Sequence, residues 1–133
     1  MNDKNTPLTP PFSRGESISV LLAHPDQEIL HKWEEEIPSN FCHTSTTDVM
    51  EMLNKVRSSR YDAIVLSLDM ASSETKPYVI AYMVRNITDY PVLIGVSNYE
   101  PLESTKPFNR IIVGEQGMPM DLAKVVEESL TAQ

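Results

Sequence analysis

The sequence predicts a doubly wound α/β fold, in which a five-stranded parallel sheet carries helices on both faces. Three observations support this prediction. Five short apolar segments alternate with longer segments whose apolar residues recur at helical spacing. The connections between successive strands are long enough for the right-handed crossovers that parallel strands require. The run Ala63–Leu66 is apolar at every position, as expected for a central strand covered on both faces.

Length, composition and charge limit the classes of function. The chain has 133 residues, of which 41% are hydrophobic and 23% charged, as is typical of one globular domain. Its formal net charge of −8 argues against a nucleic acid or an anionic membrane as partner, because both are bound through basic surfaces. No apolar run is long enough to cross a bilayer, and the N-terminus lacks the apolar segment of a signal peptide. The expected location is cytoplasmic.

The domain organisation is expected to be simple. Residues 1–16 are rich in proline and polar residues, bury little apolar surface and are predicted to form a flexible tail. Residues 17–133 are predicted to form one folded domain. The single cysteine, Cys42, permits no internal disulfide and fits a reducing compartment. Because Cys42 lies in a predicted strand, we expect it to be a small buried core residue.

The individual elements follow from local patterns. Five segments have the branched, apolar character of strands: residues 17–23, 41–45, 63–66, 92–97 and 110–114. Four segments have helical spacing: residues 26 to about 36, 46 to about 60, 77–88, and from 119 onwards. Asp26 and Asp48 are suited to cap the first two helices, and Glu51 follows Asp48 at capping-box spacing. Pro77 and Pro119 are acceptable at the first helical position.

Three details of the pattern set expectations for packing. Residues 98–109 contain two prolines and little periodicity, so the helix between the fourth and fifth strands is predicted to be short or missing. Gly95, inside the fourth strand, indicates the close approach of another backbone. The acidic run Glu34–Glu36 is interpreted as the solvent-facing side of the first helix.

The chain from about residue 17 to 131 resembles a response-regulator receiver domain. The resemblance rests on the element order, on Tyr61-Asp62 before the central apolar strand, on the run Pro91–Ile94 at the fourth strand, and on the final helix. It implies a flavodoxin-like sheet with strand order 2-1-3-4-5, and it makes residues 17–133 a receiver-like domain. It also implies a role in two-component signal transduction, with a site at the carboxyl ends of the strands.

The resemblance allows the family's phosphorylation site to be compared with this chain. The phosphoacceptor aspartate lies five residues after the aspartate of the Tyr-Asp pair, and that position is Ser67. A neutral hydroxyl is a poor nucleophile without an adjacent base. The acidic pair that holds Mg²⁺ corresponds to His24 and Pro25, followed by Asp26. Proline cannot ligate a metal, and imidazole is a poor partner for hard Mg²⁺.

Two further positions complete this comparison. The Thr or Ser at the end of the fourth strand corresponds to Val96 or Ser97, so this feature is expected to be retained. The Lys-Pro pair after the fifth strand corresponds to Gly114-Glu115, and glutamate would repel a phosphoryl group. The segment Lys106–Phe108 contains a Lys-Pro pair, but it precedes the predicted fifth strand and is interpreted as a coincidence. The sequence thus predicts a degenerate phosphorylation pocket, with these members: His24, Pro25, Asp26, Ser67, Asp69, Ser97 and Glu115.

These replacements predict a pseudo-receiver: a non-enzymatic signalling module with no cofactor and no metal, which binds another signalling protein or a second copy of itself. Two alternatives stay open. Asp69, two residues after Ser67, could serve as an atypical phosphoacceptor together with Asp26. The chain could also be a flavodoxin-like domain for a small ligand, although residues 23–26 contain no glycine-rich phosphate loop. For His24, a structural role is preferred over metal binding or pH sensing.

Overall fold

The computed structural model describes residues 18–70, 76–98, 106–114 and 121–131. These residues form five strands, β1 (Ser19–Ala23), β2 (Cys42–Thr46), β3 (Ala63–Ser67), β4 (Val92–Ser97) and β5 (Arg110–Val113). They also form the helices α1 (Gln27–Glu36), α2 (Val49–Ser58), α3 (Pro77–Ile87) and α4 (Leu122–Thr131), and a 3-10 turn at Leu68–Met70. None of these helices is both long and apolar enough to cross a bilayer. The predicted tail, residues 1–16, lies outside the described residues.

The sheet has the predicted topology. All neighbouring strands are parallel, and their order is β2-β1-β3-β4-β5. In the central strand, Ile64 is aligned with Leu21 of β1 on one side and with Leu93 of β4 on the other. The chain adds β2 beside β1 and then crosses to the opposite side of β1 for β3. The connections after β1 and β3 therefore diverge, which creates the switch point where sites form in open α/β sheets.

Helices cover both faces of the sheet, as predicted. Ala63 and Val65 of β3 face α1 and α4, whereas Ile64 and Leu66 face α2 and α3. The first layer is completed by Leu30, Trp33, Leu122, Val125 and Val126. The second layer is completed by Met52, Leu53, Val56, Ile80, Ala81 and Val84. Each large apolar side chain buried in this way stabilises the fold by about 1.5–3 kcal/mol.

Aspartates cap the first two helices, as predicted. Asp26 Oδ1 accepts hydrogen bonds from the backbone N–H groups of Glu28 (2.9 Å) and Ile29 (3.4 Å). Asp48 Oδ2 accepts from the N–H of Glu51 at 2.8 Å. In a capping box, the side chain of Glu51 would accept directly from the backbone N–H of Asp48. Here Thr46 lies between these two groups. Its hydroxyl oxygen accepts from the N–H of Asp48 at 3.1 Å, and the hydroxyl donates to the Glu51 carboxylate.

The last helix begins later than predicted. Its first residue is Leu122, and the preceding Asp121 has φ 54°, a left-handed conformation that an α-helix does not include. Pro119, the predicted first residue, lies outside the described residues. Asp121 instead caps the helix: its carbonyl accepts from the N–H of Val125 at 3.1 Å, and its side chain accepts from the N–H of Lys124 at 3.4 Å.

The acidic run at the end of α1 is not simply a solvent-facing surface, so that interpretation is wrong for two of its members. Glu36 Oε1 accepts a hydrogen bond from the N–H of Leu122 at 2.8 Å, which places a carboxylate at the positive end of the α4 dipole. Glu34 accepts from the hydroxyl of Ser45 on β2. These two glutamates therefore join α1 to the elements packed beside it.

Gly95 lies where side chains, and not another backbone as predicted, close over the sheet. A Cβ atom at this position would lie 2.7 Å from Ile111 Cδ1, 2.8 Å from Leu68 Cδ1 and 3.1 Å from Phe108 Cδ1. These apolar groups come from β5, from the 3-10 turn after β3 and from the connection between β4 and β5, which was predicted to lack a full helix. Of the described residues in that connection, 98 and 106–109, none is helical, and residues 99–105 lie outside the description.

Strand β2 differs from its prediction in position and in burial. It begins and ends one residue later than expected, and Cys42 at its start is exposed, so the prediction of a core cysteine is wrong. The reason is its place at the edge of the sheet, where only the last residue, Thr46, is fully covered. The central strand β3, in contrast, is covered by helices on both faces.

Candidate functional site

The predicted site residues lie at the carboxyl ends of neighbouring strands. His24 directly follows β1, whereas Ser67 and Ser97 are the last residues of β3 and β4. The parallel registers bring these strand ends side by side at the switch point between β1 and β3. Glu115, the remaining member beyond β5, lies outside the described residues.

Ser67 is enclosed and takes part in a local turn. Its side chain is fully buried, and its Oγ accepts a hydrogen bond from the backbone N–H of Asp69 at 3.0 Å. This contact starts the 3-10 turn that ends β3, a common role for a serine at such a position. A phosphoryl donor in solution therefore has no direct approach to this hydroxyl.

Asp69 lies close to Ser67 in sequence but has different surroundings. Strand β3 ends at Ser67, so Asp69 belongs to the 3-10 turn and the alternation of side chains along a strand no longer applies to it. The side chain of Asp69 is exposed. Asp69 is therefore a solvated turn residue, and its carboxylate is accessible from solution.

His24 is a buried structural residue. Its imidazole is 2% exposed and meets the ring of Trp33 edge to face, with a centroid distance of 5.0 Å and an interplanar angle of 89°. His24 Nδ1 accepts a hydrogen bond from the backbone N–H of Asp26 at 2.9 Å. This geometry assigns the ring proton to Nε2. His24 thus holds the turn that leads into α1, and its Nδ1 lone pair is already engaged.

The residues after β1 do not fit the Mg²⁺ that receiver domains hold. Mg²⁺ requires oxygen ligands in octahedral geometry. Pro25 offers no side-chain ligand, His24 offers a buried imidazole, and Oδ1 of Asp26 caps α1. Within the described ranges, no three His, Cys, Asp or Glu side chains are grouped to hold a metal ion.

The ends of β4 and β5 complete this edge. Ser97 is half-buried, and its carbonyl accepts from the N–H of Gly114 at 2.9 Å. Lys106 and Pro107 precede β5, in agreement with the interpretation that they are not the family's Lys-Pro motif. Beside them, Phe108 packs against the core formed with α2 and α3.

A second cluster of polar and charged side chains lies at the amino ends of the strands, where β3 and β4 begin. The sequence analysis did not predict this cluster. The Arg60 guanidinium stacks over the ring of Tyr90, with Cζ 3.8 Å from the ring centroid. The Tyr90 hydroxyl donates to Asp62 Oδ1 at 3.1 Å, while Asp62 Oδ2 accepts from the N–H of Ser19 at 2.8 Å. Burial, and then the hydrogen bond and charge of Asp62, raise the pKa of Tyr90.

The available signal for this cluster was the order of residues at two neighbouring turns. Arg57 lies in the last turn of α2, Arg60 follows the helix just before Tyr61-Asp62, and Tyr90 lies two residues before β4, as Tyr61 does before β3. Because consecutive parallel strands begin at the same edge, these turns must lie side by side.

Comparison with known proteins gives matches in structure alone. No protein-family model matches the chain, and no curated protein matches its sequence. A response regulator receiver domain protein (CheY-like) from Methanospirillum hungatei JF-1 matches with a TM-score of 0.74 at 14% identity, over 88% of this chain and 96% of that one. A response regulator receiver protein from Sinorhizobium medicae WSM419 matches with a TM-score of 0.71 at 18% identity, over 88% and 97%.

A third similar structure is that of a regulator in a complex. It is the response regulator protein TrrA from Thermotoga maritima in complex with Mg²⁺ and beryllofluoride, with a TM-score of 0.70, 18% identity, and coverage of 85% of this chain and 98% of that one. At such identities the agreement is one of fold. The strand order, the helical layers and these matches together show that this chain has the fold of response-regulator receiver domains.

Proposed function

We propose that this chain is a pseudo-receiver, a non-enzymatic signalling module that acts by binding another protein without being phosphorylated. The observation that carries the proposal is the state of Ser67. It occupies the position of the phosphoacceptor, but it is a neutral hydroxyl, it is fully buried, and its oxygen accepts the N–H of Asp69. A hydroxyl in this state lacks the charge and the access that an aspartyl-phosphate cycle requires.

The neighbours of Ser67 support the same proposal. A phosphoryl group needs cations to offset its charge. The position that supplies Mg²⁺ ligands in receivers holds His24, which packs on Trp33, and Pro25. The position of the charge-sensing lysine corresponds in sequence to Glu115. Loss of the nucleophile therefore coincides with loss of the groups that would stabilise its product.

One observation favours an atypical phosphorylatable receiver as the second candidate. Asp69 and Asp26 are both exposed near the carboxyl edge of the sheet. Asp69 is therefore accessible as a carboxylate nucleophile. It lacks a described cation beside it, and Asp26 Oδ1 is engaged as a helix cap, so we rank this candidate below the pseudo-receiver.

Intact-mass spectrometry after incubation with acetyl phosphate and Mg²⁺ separates the two candidates. The pseudo-receiver is expected to keep its mass, while a phosphorylatable receiver domain treated in parallel gains a phosphoryl group. If this chain gains a phosphoryl group, and Asp69→Asn loses it while Asp89→Asn retains it, the second candidate is correct. Asp89 is a suitable control because it is an exposed aspartate in the turn before β4.

A protein partner is the remaining part of the proposal. The net charge of −8 and the receiver fold support a soluble signalling protein or a second copy as partner, in the cytoplasm, over a nucleic acid or membrane. Sedimentation velocity over a range of concentrations tests the homodimer directly. A concentration-dependent shift toward twice the monomer mass supports self-association, whereas a constant monomer leaves a different protein as the partner.

A further inference from the structure

A cavity of about 340 Å³ lies at the end of the sheet where β3 and β4 begin, opposite to the end that carries Ser67. It lies between the C-terminal ends of α2 and α3. Its floor is apolar. Val56 and Tyr61 belong to it and are 5% and 6% exposed, and Ile87 and Pro91 line its other side. Ligand sites commonly combine such a floor with a few polar groups at the rim.

The rim of this cavity is cationic. Arg57 and Arg60 line it, and both side chains are exposed to solvent. None of the described lining residues is acidic. The nearby carboxylate of Asp62 is held by two donors, the Tyr90 hydroxyl and the N–H of Ser19. The described residues that line the cavity therefore carry two positive charges and no carboxylate, on a protein whose net charge is −8.

The contacts around Tyr90 orient one of the two cations. Stacking on the Tyr90 ring fixes the plane of the Arg60 guanidinium. A guanidinium carries five N–H donors in that plane, so its edges can still bind a carboxylate when its face is stacked. Arg57 donates to Asn54 Oδ1 through one nitrogen, at 3.0 Å. Both arginines can thus present donors to an anionic group above the apolar floor.

We propose that this cavity is a docking site for an acidic segment of a partner protein. An apolar or aromatic side chain of the segment would lie on the floor, and a neighbouring carboxylate would bind Arg57 and Arg60. The volume favours this occupant, because it lies at the low end of the range for small-molecule sites, about 300–1,000 Å³, and suits one or two side chains. The proposal deepens the proposed function and rests on it for the existence of a protein partner.

An NMR titration of the ¹⁵N-labelled chain tests this site with a defined probe. The probe is acetyl-Glu-Phe-Glu-amide, and its neutral counterpart is acetyl-Gln-Phe-Gln-amide. We expect the acidic peptide to shift the side-chain Nε–H signals of Arg57 and Arg60 and the backbone signals of Thr88 and Tyr90. The affinity for the neutral peptide should be lower by about tenfold or more, because the neutral peptide cannot form charge-assisted hydrogen bonds.

Matched variants identify the residues responsible. Arg57→Gln and Arg60→Gln each remove one rim charge, and each should weaken binding of the acidic peptide about tenfold. Lys124→Gln removes an exposed charge from α4 and should leave binding unchanged. Because Arg60→Gln also removes the stack on Tyr90, thermal unfolding of each variant establishes that it is folded before the titration is interpreted.

Three results would overturn the site. They are equal binding of the neutral peptide, unchanged binding by the Arg57→Gln/Arg60→Gln double variant, and the same shifts with inorganic phosphate alone. The last result would identify an anion site without a role for the apolar floor. Failure here is distinguishable from failure of the proposed function, because a phosphoryl mass gain would contradict the pseudo-receiver without changing peptide binding.

Discussion

The hydroxyl oxygen of Ser67 accepts a hydrogen bond from the backbone N–H of Asp69 at 3.0 Å. This contact joins the last residue of β3 to the turn that follows, at the edge of the sheet where receiver domains keep their reactive aspartate. It uses Ser67 to shape the backbone and leaves Asp69 exposed. Local structure at this edge is therefore built around a neutral side chain.

Substitutions at Ser67 should change stability in proportion to the charge they introduce. Ser67→Ala removes one hydrogen bond and should lower the free energy of unfolding by about 1 kcal/mol. Ser67→Asp places a carboxylate in a fully buried position and should cost about 3 kcal/mol or more, because the charged form loses its hydration. Urea unfolding measures both values. A Ser67→Asp variant as stable as wild type would show that this position still accommodates a negative charge.

Glu36 should contribute to stability although it lies in an acidic run. Glu36→Ala removes the carboxylate that accepts the N–H of Leu122, and we expect a loss of about 1 kcal/mol, as for other helix-capping groups. Glu35→Ala, at the exposed neighbour, is the control and should change stability by less than about 0.5 kcal/mol. Equal effects of the two variants would contradict the capping role.

The two described glycines should respond differently to alanine. At Gly95 a new Cβ would meet terminal methyl groups of Ile111 and Leu68 at 2.7 and 2.8 Å and the ring of Phe108 at 3.1 Å. Because the methyl groups can move but the ring is stiff, we expect a cost of about 1–2 kcal/mol. Gly114→Ala, with no atom within 4 Å of the new Cβ, should be nearly neutral. Thermal unfolding compares them, and a neutral Gly95→Ala would show that this packing is loose.

Tyr90 should make stability depend on pH in the alkaline range. Its pKa is raised in the folded state, by burial first and then by Asp62, so folding favours the protonated phenol. This stabilisation is present below the unfolded pKa of about 10 and is lost as pH rises through the folded pKa. The advantage of wild type over Tyr90→Phe in urea unfolding should therefore be constant below about pH 9 and shrink as pH rises above about 10.

The control for this measurement is Tyr82→Phe, which removes a hydroxyl from an exposed tyrosine on α3. An advantage of wild type over Tyr90→Phe that stays constant or grows as pH rises above about 10 would contradict the raised pKa of Tyr90 in the folded state.

The sequence predicted the strands and both helical layers because those depend on local patterns, whereas the order of the strands in the sheet was implied by the resemblance to receiver domains. Apolar runs such as Ala63–Leu66 and caps such as Asp26 are encoded within a few residues. The contacts that it did not predict join distant parts of the chain. Glu36 and Leu122 are 86 positions apart, and Tyr90 and Asp62 are 28 apart. No periodicity records such pairs, so they follow only from the folded chain.

Burial at the sheet edge was missed for a related reason. Cysteine is a residue type that is often buried in cores. The exposure of Cys42, however, depends on which strand lies at the edge of the sheet and on how far the helices extend over that strand. At the candidate site, the resemblance to receivers placed His24, Ser67 and Ser97 at strand ends, where the structure has them. The roles of His24 as a support for the turn and of Ser67 as a turn acceptor required the geometry.

The central claim is that this receiver fold does not respond to a phosphoryl group, and titration with beryllofluoride and Mg²⁺ tests it most directly. The Thermotoga maritima regulator, known in complex with Mg²⁺ and beryllofluoride, serves as the positive control. We predict that the amide NMR spectrum of this chain stays unchanged under conditions in which the control spectrum shifts. Shifts clustered at Asp26, Ser67 and Asp69, and abolished by Asp69→Asn, would contradict the claim.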